Sequence, residues 1–78
     1  MTTIIDFPSL DAAIDAESWT WLQEASPLYA DAVAVEVKRG HTPSDIRQRF
    51  MRLTQRPALA LRLEQAARHL RRQKEAGQ

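Results

Sequence analysis

The sequence of 78 residues has no cysteine, only two glycines, and no base among its first 36 residues. The lack of cysteine excludes disulfide bonds and thiolate metal sites. Two histidines are too few to hold a structural zinc ion without carboxylates. Two glycines do not suffice for a glycine-rich loop that would cradle phosphates. We therefore expect neither a metal nor another cofactor.

Motifs of catalysis and of membrane insertion are also missing from the sequence. No nucleophile elbow or metal-binding signature occurs, and a substrate pocket of about 300 Å³ is hard to fit into so short a chain. We expect a protein without enzymatic activity or small-molecule substrate. The first residues lack the basic and apolar regions of a signal peptide, and no apolar run reaches the roughly 20 residues of a membrane span. These features predict a soluble, cytoplasmic protein without membrane contact.

Capping residues and prolines divide the chain into predicted helices near 10–24, 27–39, 43–55 and 58–75. The predicted helix starts are Ser9, Ser26 with Pro27, Thr42 with Pro43 and Asp45, and Pro57. Gly40 is placed to end the second helix. Short connections between helices favour antiparallel neighbours. The sequence thus predicts an all-α fold, a small compact bundle of about four helices.

We expect a single domain over residues 1–78, with irregular or frayed ends at 1–8 and 76–78. Between Ala32 and Val37, valines at every second position are also typical of a strand. The flanking proline and glycine, and the lack of a second strand to pair with, favour a helix there. Apolar residues at helical spacing give the predicted core: Leu10, Ile14, Trp21, Leu22, Leu28, Val33, Val35, Ile46, Phe50, Leu53, Leu59, Leu63 and Leu70.

Trp19 and Trp21 are separated by about 200° on a helix, so one continuous helix cannot bury both fully. Trp21 is in phase with Leu10 and Ile14 and is assigned to the core. Two interpretations of Trp19 remain open. Either the helix breaks near Ser18, or the ring folds over, and Trp19 joins the core. Alternatively Trp19 is exposed and anchors a partner, as tryptophan often does at interfaces.

Charge divides the chain in two: residues 1–36 carry a net charge of −7 and residues 37–78 a net charge of +8. Such asymmetry is typical of nucleic-acid or membrane contact, but two complementary halves of one bundle explain it equally well. Arg49, Arg52 and Arg56 share one helix face, with Asp45 as a predicted partner of Arg49. Glu36 falls within an apolar arc, which predicts a partly buried acid paired with Arg39 or with an arginine of another helix.

Two functions fit these features. The first is an accessory or regulatory interaction module that docks on a protein partner or on itself as a homodimer. The second is a nucleic-acid-binding accessory protein that contacts phosphates through the arginines of its last two helices. A helix-turn-helix motif around Gly40 is disfavoured, because Arg39 and His41 stand where apolar residues belong. The predicted partner-binding residues are Trp19, Arg49, Arg52, Arg56, Leu61, Arg68 and Arg72.

Overall fold

The computed structural model describes residues 7–77, with side chains from residue 10 onward. This part of the chain forms four helices and no strand: α1 (Phe7–Ala25), α2 (Pro27–Lys38), α3 (Pro43–Thr54) and α4 (Pro57–Ala76). The predicted all-α bundle is confirmed, and the alternating valines between Ala32 and Val37 lie within α2. The predicted irregular ends overlap the helices at residues 7, 8 and 76, and residues 1–6 and 78 lie outside the described part.

The predicted helix starts hold for α2, α3 and α4 but not for α1. Helix α1 begins at Phe7, so Ser9 lies inside the helix and is not its cap. In α3 the predicted capping box is present, because the Asp45 amide donates to the Thr42 hydroxyl over 3.1 Å and the Thr42 amide donates to the Asp45 carboxylate over 3.4 Å. Both α3 and α4 carry proline in the first turn, where its missing amide costs nothing.

Gly40 ends α2 as predicted. Its φ of 90° lies in the region that glycine adopts without strain. The amides of Gly40 and His41 donate to the carbonyls of Val37 and Glu36 over 3.0 and 3.1 Å. This double hydrogen bond is a Schellman motif, which satisfies the last carbonyls of the helix. It turns the chain directly into the cap of α3.

Helix α4 lies at the centre of the bundle and packs against each of the other helices. Leu63, Ala66 and Ala67 of α4 are completely buried. Tyr29 of α2 and Phe50 of α3 meet edge to face, with ring centroids 6.0 Å apart. The core cluster comprises Leu22, Ala30, Val33, Val37, Ile46, Phe50, Leu59, Leu63, Ala66 and Ala67. None of the described helices has the length and apolar character required to cross a bilayer.

Nearly half of the predicted core residues are at the surface instead. Leu28 and Leu53 are 80% and 68% exposed. The others lie between 39% and 46%: Leu10, Ile14, Trp21 and Val35. Three of these six belong to α1, and the prediction failed there because α1 is turned about its axis. The stripe assumed to face inward lies beside the buried one.

Candidate functional site

Helix α1 presents polar side chains to α4 and leaves its own apolar stripe at the surface. Its buried positions are Asp15, Ser18 and Leu22, each no more than 1% exposed. The apolar stripe of Leu10, Ile14 and Trp21 is displaced from them by about one residue, or 100° around the helix. A buried polar group and an exposed apolar patch are the two observations that depart from the ordinary rule of burial. Both occur on this one helix.

Four side-chain contacts join α1 to α4, and three of them are evenly spaced along both helices. Asp15 meets Arg68, with N···O 3.4 Å, and the Ser18 hydroxyl donates to Gln65 over 2.6 Å. One turn further, Arg62 lies over the ring of Trp21, 4.8 Å from its centroid. Each step of three residues forward along α1 is a step of three back along α4, so the two helices are antiparallel.

The buried carboxylate of Asp15 is held by a second arginine as well. Arg72 donates to the same oxygen over 2.5 Å. Both arginines are more than 40% exposed at their side chains, so only the acid is removed from water. A buried charge requires such partners, because leaving it unpaired would cost several kcal/mol. Arg68 and Arg72, predicted to bind a partner, thus serve the contact between α1 and α4.

Of the two interpretations of Trp19, the structure supports the one in which the ring joins the core, whereas the assignment of Trp21 to the core is wrong. Helix α1 runs without a break through Ser18, and Trp19 packs partly buried against the core. Trp21, assigned to the core, is 39% exposed. Position 19 lies next to the buried Ser18, whereas Trp21 continues the outer stripe. The exposed tryptophan of this bundle is therefore Trp21, under the guanidinium of Arg62.

The outer side of α1 and α4 carries four apolar residues and one arginine, which we call the α1/α4 surface: Ile14, Trp21, Ala58, Leu61 and Arg62. A groove of about 340 Å³ lies between Ile14 and Leu61, and its lining also includes the polar residues Glu17, Ser18 and Gln65. A second groove of about 200 Å³ lies between Trp21 and Arg56. Both grooves share Ala58 and Arg62, so they adjoin. Leu61, predicted to be exposed among arginines, is 39% exposed at this surface.

The predicted face of Arg49, Arg52 and Arg56 is not one helix face, because α3 ends at Thr54 and Arg56 is the N-cap residue of α4. Arg49 pairs with Glu36 of α2, with N···O 2.9 Å, and not with Asp45, whose carboxylate caps the helix instead. Arg52 and Arg56 form no ion pair with any side chain that the structure describes. No arginine of α3 reaches an acid of α1 within the described residues. The acidic half is instead joined to the basic half by Asp15 with α4 and by Glu36 with α3.

Glu36 is paired, as its position in an apolar arc predicted, and at 6% exposure it is more deeply buried than expected. Its carboxylate contacts His41 of the following turn in addition to Arg49. The partner comes from another helix and not from Arg39. Glu36 therefore stabilises the junction of α2 and α3.

Between residues 10 and 77, no group of three or more potential metal ligands lies together, and no buried polar side-chain atom there lacks a partner.

Sequence reasoning missed Ile14, Trp21 and Arg62 as surface residues. Glu17 lies in phase with Ile14 and Trp21 and is exposed. Its position in the stripe did not reveal this, because Glu36 lies in a similar apolar arc and is buried. Comparison of the chain with protein-family models, with characterised proteins and with solved structures gives no match.

Proposed function

We propose that this chain is a non-enzymatic protein-interaction module that docks through the α1/α4 surface. The observation that carries the proposal is the orientation of α1, which buries Asp15 and Ser18 while Ile14 and Trp21 remain 39–40% exposed. Turning the helix by about 100° would bury the apolar residues instead. The fold keeps the polar residues inside and the apolar ones at the surface, and such departures from local rules are expected at functional sites.

The residues of the α1/α4 surface are of the kinds that bind proteins. Tryptophan and arginine are enriched among the residues that contribute most to interface affinity. Here Arg62 lies over the Trp21 ring, so both are held in place before a partner arrives. The ordering of these side chains then costs less on association. Of the residues predicted for a partner, Leu61 and Arg56 line these grooves, and we place Trp21 where the sequence suggested Trp19.

The nucleic-acid alternative has less support from the same geometry. Arg49, Arg68 and Arg72 are engaged by Glu36 and Asp15, so their charge is largely neutralised within the bundle. Arg52, Arg56 and Arg62, which form no ion pair with a described side chain, would supply few of the phosphate contacts on which such binding depends. We therefore keep a protein as the proposed partner.

From the cysteine-free composition we also propose that the chain acts in the cytoplasm.

Photo-crosslinking from single introduced cysteines tests this proposal, because the chain has none of its own. A benzophenone maleimide is attached to Leu61→Cys and, as the matched control, to Leu28→Cys, whose native side chain is 80% exposed on α2. Both labelled proteins are irradiated in cell extract and at the same concentration in buffer.

We expect protein adducts from position 61 that disappear when Trp21→Ala is added, and few from position 28. The truncation removes an exposed ring, so the helical circular dichroism should remain that of the native chain. Equal adduct yields from both positions, or adducts at position 61 that persist without the tryptophan, would contradict the proposed surface.

A further inference from the structure

We infer that the occupant of the α1/α4 surface is a second copy of this chain, related by a two-fold axis. The inference rests on the proposed function, since it names the partner of the same surface. A two-fold contact is isologous, so the surface must be complementary to itself. That requirement can be checked against the charges that line the two adjoining grooves.

The charges around the α1/α4 surface are self-complementary. Its α1 side carries Glu17, and its α4 side carries Arg62 and Arg56. None of the three forms an ion pair with a described side chain, although Glu17 and Arg62 line the same groove. A copy rotated by 180° presents its base to the acid of the first chain and its acid to the base. Each ion pair formed in this way occurs twice.

The apolar residues and the size of the surface also suit a second copy. Helices α1 and α4, with 19 and 20 residues, are each about 28–30 Å long. Two such pairs placed face to face form an intermolecular four-helix bundle. A stable interface covers about 800 Å² per partner, roughly one seventh of the 5674 Å² that the chain exposes. An interface of that area would extend beyond the five residues of the α1/α4 surface to neighbouring exposed residues such as Leu10 and Glu17.

The interior of the single chain is small and partly polar, which gives association a physical reason. Its described buried residues include eleven hydrophobic ones, four of them alanines, against four polar or charged ones. Small domains of this kind commonly gain stability through oligomerisation. Covering Ile14, Trp21 and Leu61 with a second copy adds the apolar burial that the single bundle lacks.

A charge exchange between two variants tests the two-fold pairing. Glu17→Arg and Arg62→Glu are prepared separately in the full chain, with Leu28→Glu on α2 as the control. Sedimentation equilibrium gives the dissociation constant of each protein alone and of the two charge variants mixed in equal amounts. If Arg62→Glu loses helical circular dichroism, Arg56→Glu takes its place.

We expect the native chain and the control to form dimers. Each charge variant alone should dissociate on the order of a hundredfold more readily, because every pair across the axis then joins like charges. The mixture should restore a dimer with one copy of each variant. In a Trp19→Phe chain, whose remaining tryptophan is Trp21, the fluorescence emission should shift to the blue as the protein concentration rises.

Two results would overturn the inference. One is a native chain that stays monomeric up to millimolar concentration. The other is a mixture that associates no better than its components. In the first case, adducts from position 61 that contain another protein, and that still require Trp21, would leave the proposed interaction module intact. Absence of both the dimer and those adducts would remove the inference and the proposed function together.

Discussion

Helices α3 and α1 both pack against α4, but they differ in the share of polar contact. Helix α3 buries its apolar residues Ile46 and Phe50, begins with a complete capping box, and adds one ion pair from Arg47 to the buried Glu64 of α4. Helix α1 buries an acid and a serine beside Leu22 and keeps its isoleucine and one tryptophan 39–40% exposed. The first contact resembles the interior of any small bundle. The second holds the helix through specific polar partners and leaves an apolar stripe unused by the fold.

The buried face of a helix is therefore not always its most apolar face. Four charged or hydrogen-bonding groups meet α1 along α4: Arg62, Gln65, Arg68 and Arg72. With these partners in place, rotating α1 to bury Ile14 would expose Asp15 to solvent and separate it from both arginines. Since a buried pair is costly to break, the polar contacts fix the rotation of the helix.

Truncating an isoleucine should change the free energy of unfolding far more on α3 than on α1. Ile46→Ala leaves a cavity in the core and should lower the free energy of unfolding by about 2–5 kcal/mol. Ile14→Ala removes a side chain that is 40% exposed and should cost about 1 kcal/mol or less in the monomer. Urea unfolding at concentrations where the chain is monomeric measures both. Equal losses would mean that the two helices pack alike.

A smaller effect is expected from the buried acid of α1. Asp15→Asn keeps the size of the side chain but removes the charge that Arg68 and Arg72 share, and we expect a loss of about 1–2 kcal/mol in the free energy of unfolding. Asp11→Asn is the control, because Asp11 is exposed on α1 and pairs with no described side chain. Its unfolding should match that of the native chain. A loss as large as that of Asp15→Asn would show that the acids of α1 stabilise the fold by general attraction to the basic half of the chain, and not through specific pairs.

Sequence signals of local origin predicted most of the fold. Caps and prolines act within one turn, so Thr42 with Pro43 and Gly40 located their helix ends correctly. The same holds for Glu36, because an acid inside an apolar arc must find a cation. The prediction could not name Arg49 as that cation, since the packing of α2 on α3 decides it.

The rotation of α1 could not be predicted, because it depends on residues about 50 positions away. Nothing within α1 shows that Asp15 will meet Arg68 and Arg72 or that Ser18 will meet Gln65. Apolar periodicity alone favoured Leu10, Ile14 and Trp21 as the inner stripe. For that reason the candidate site named Trp19 from the sequence, and the structure places Trp21 at the surface instead.

Thiol labelling measures the rotation of α1 in the folded bundle. Ile14→Cys and Ser18→Cys each introduce one thiol, one turn apart on the same helix, into a chain that has no other. Under native, monomeric conditions we predict that the thiol at position 18 reacts on the order of a hundredfold more slowly than that at position 14, because it reacts only when the bundle opens. Faster labelling at position 18 than at position 14 would show that α1 turns Ile14, and not Ser18, toward α4.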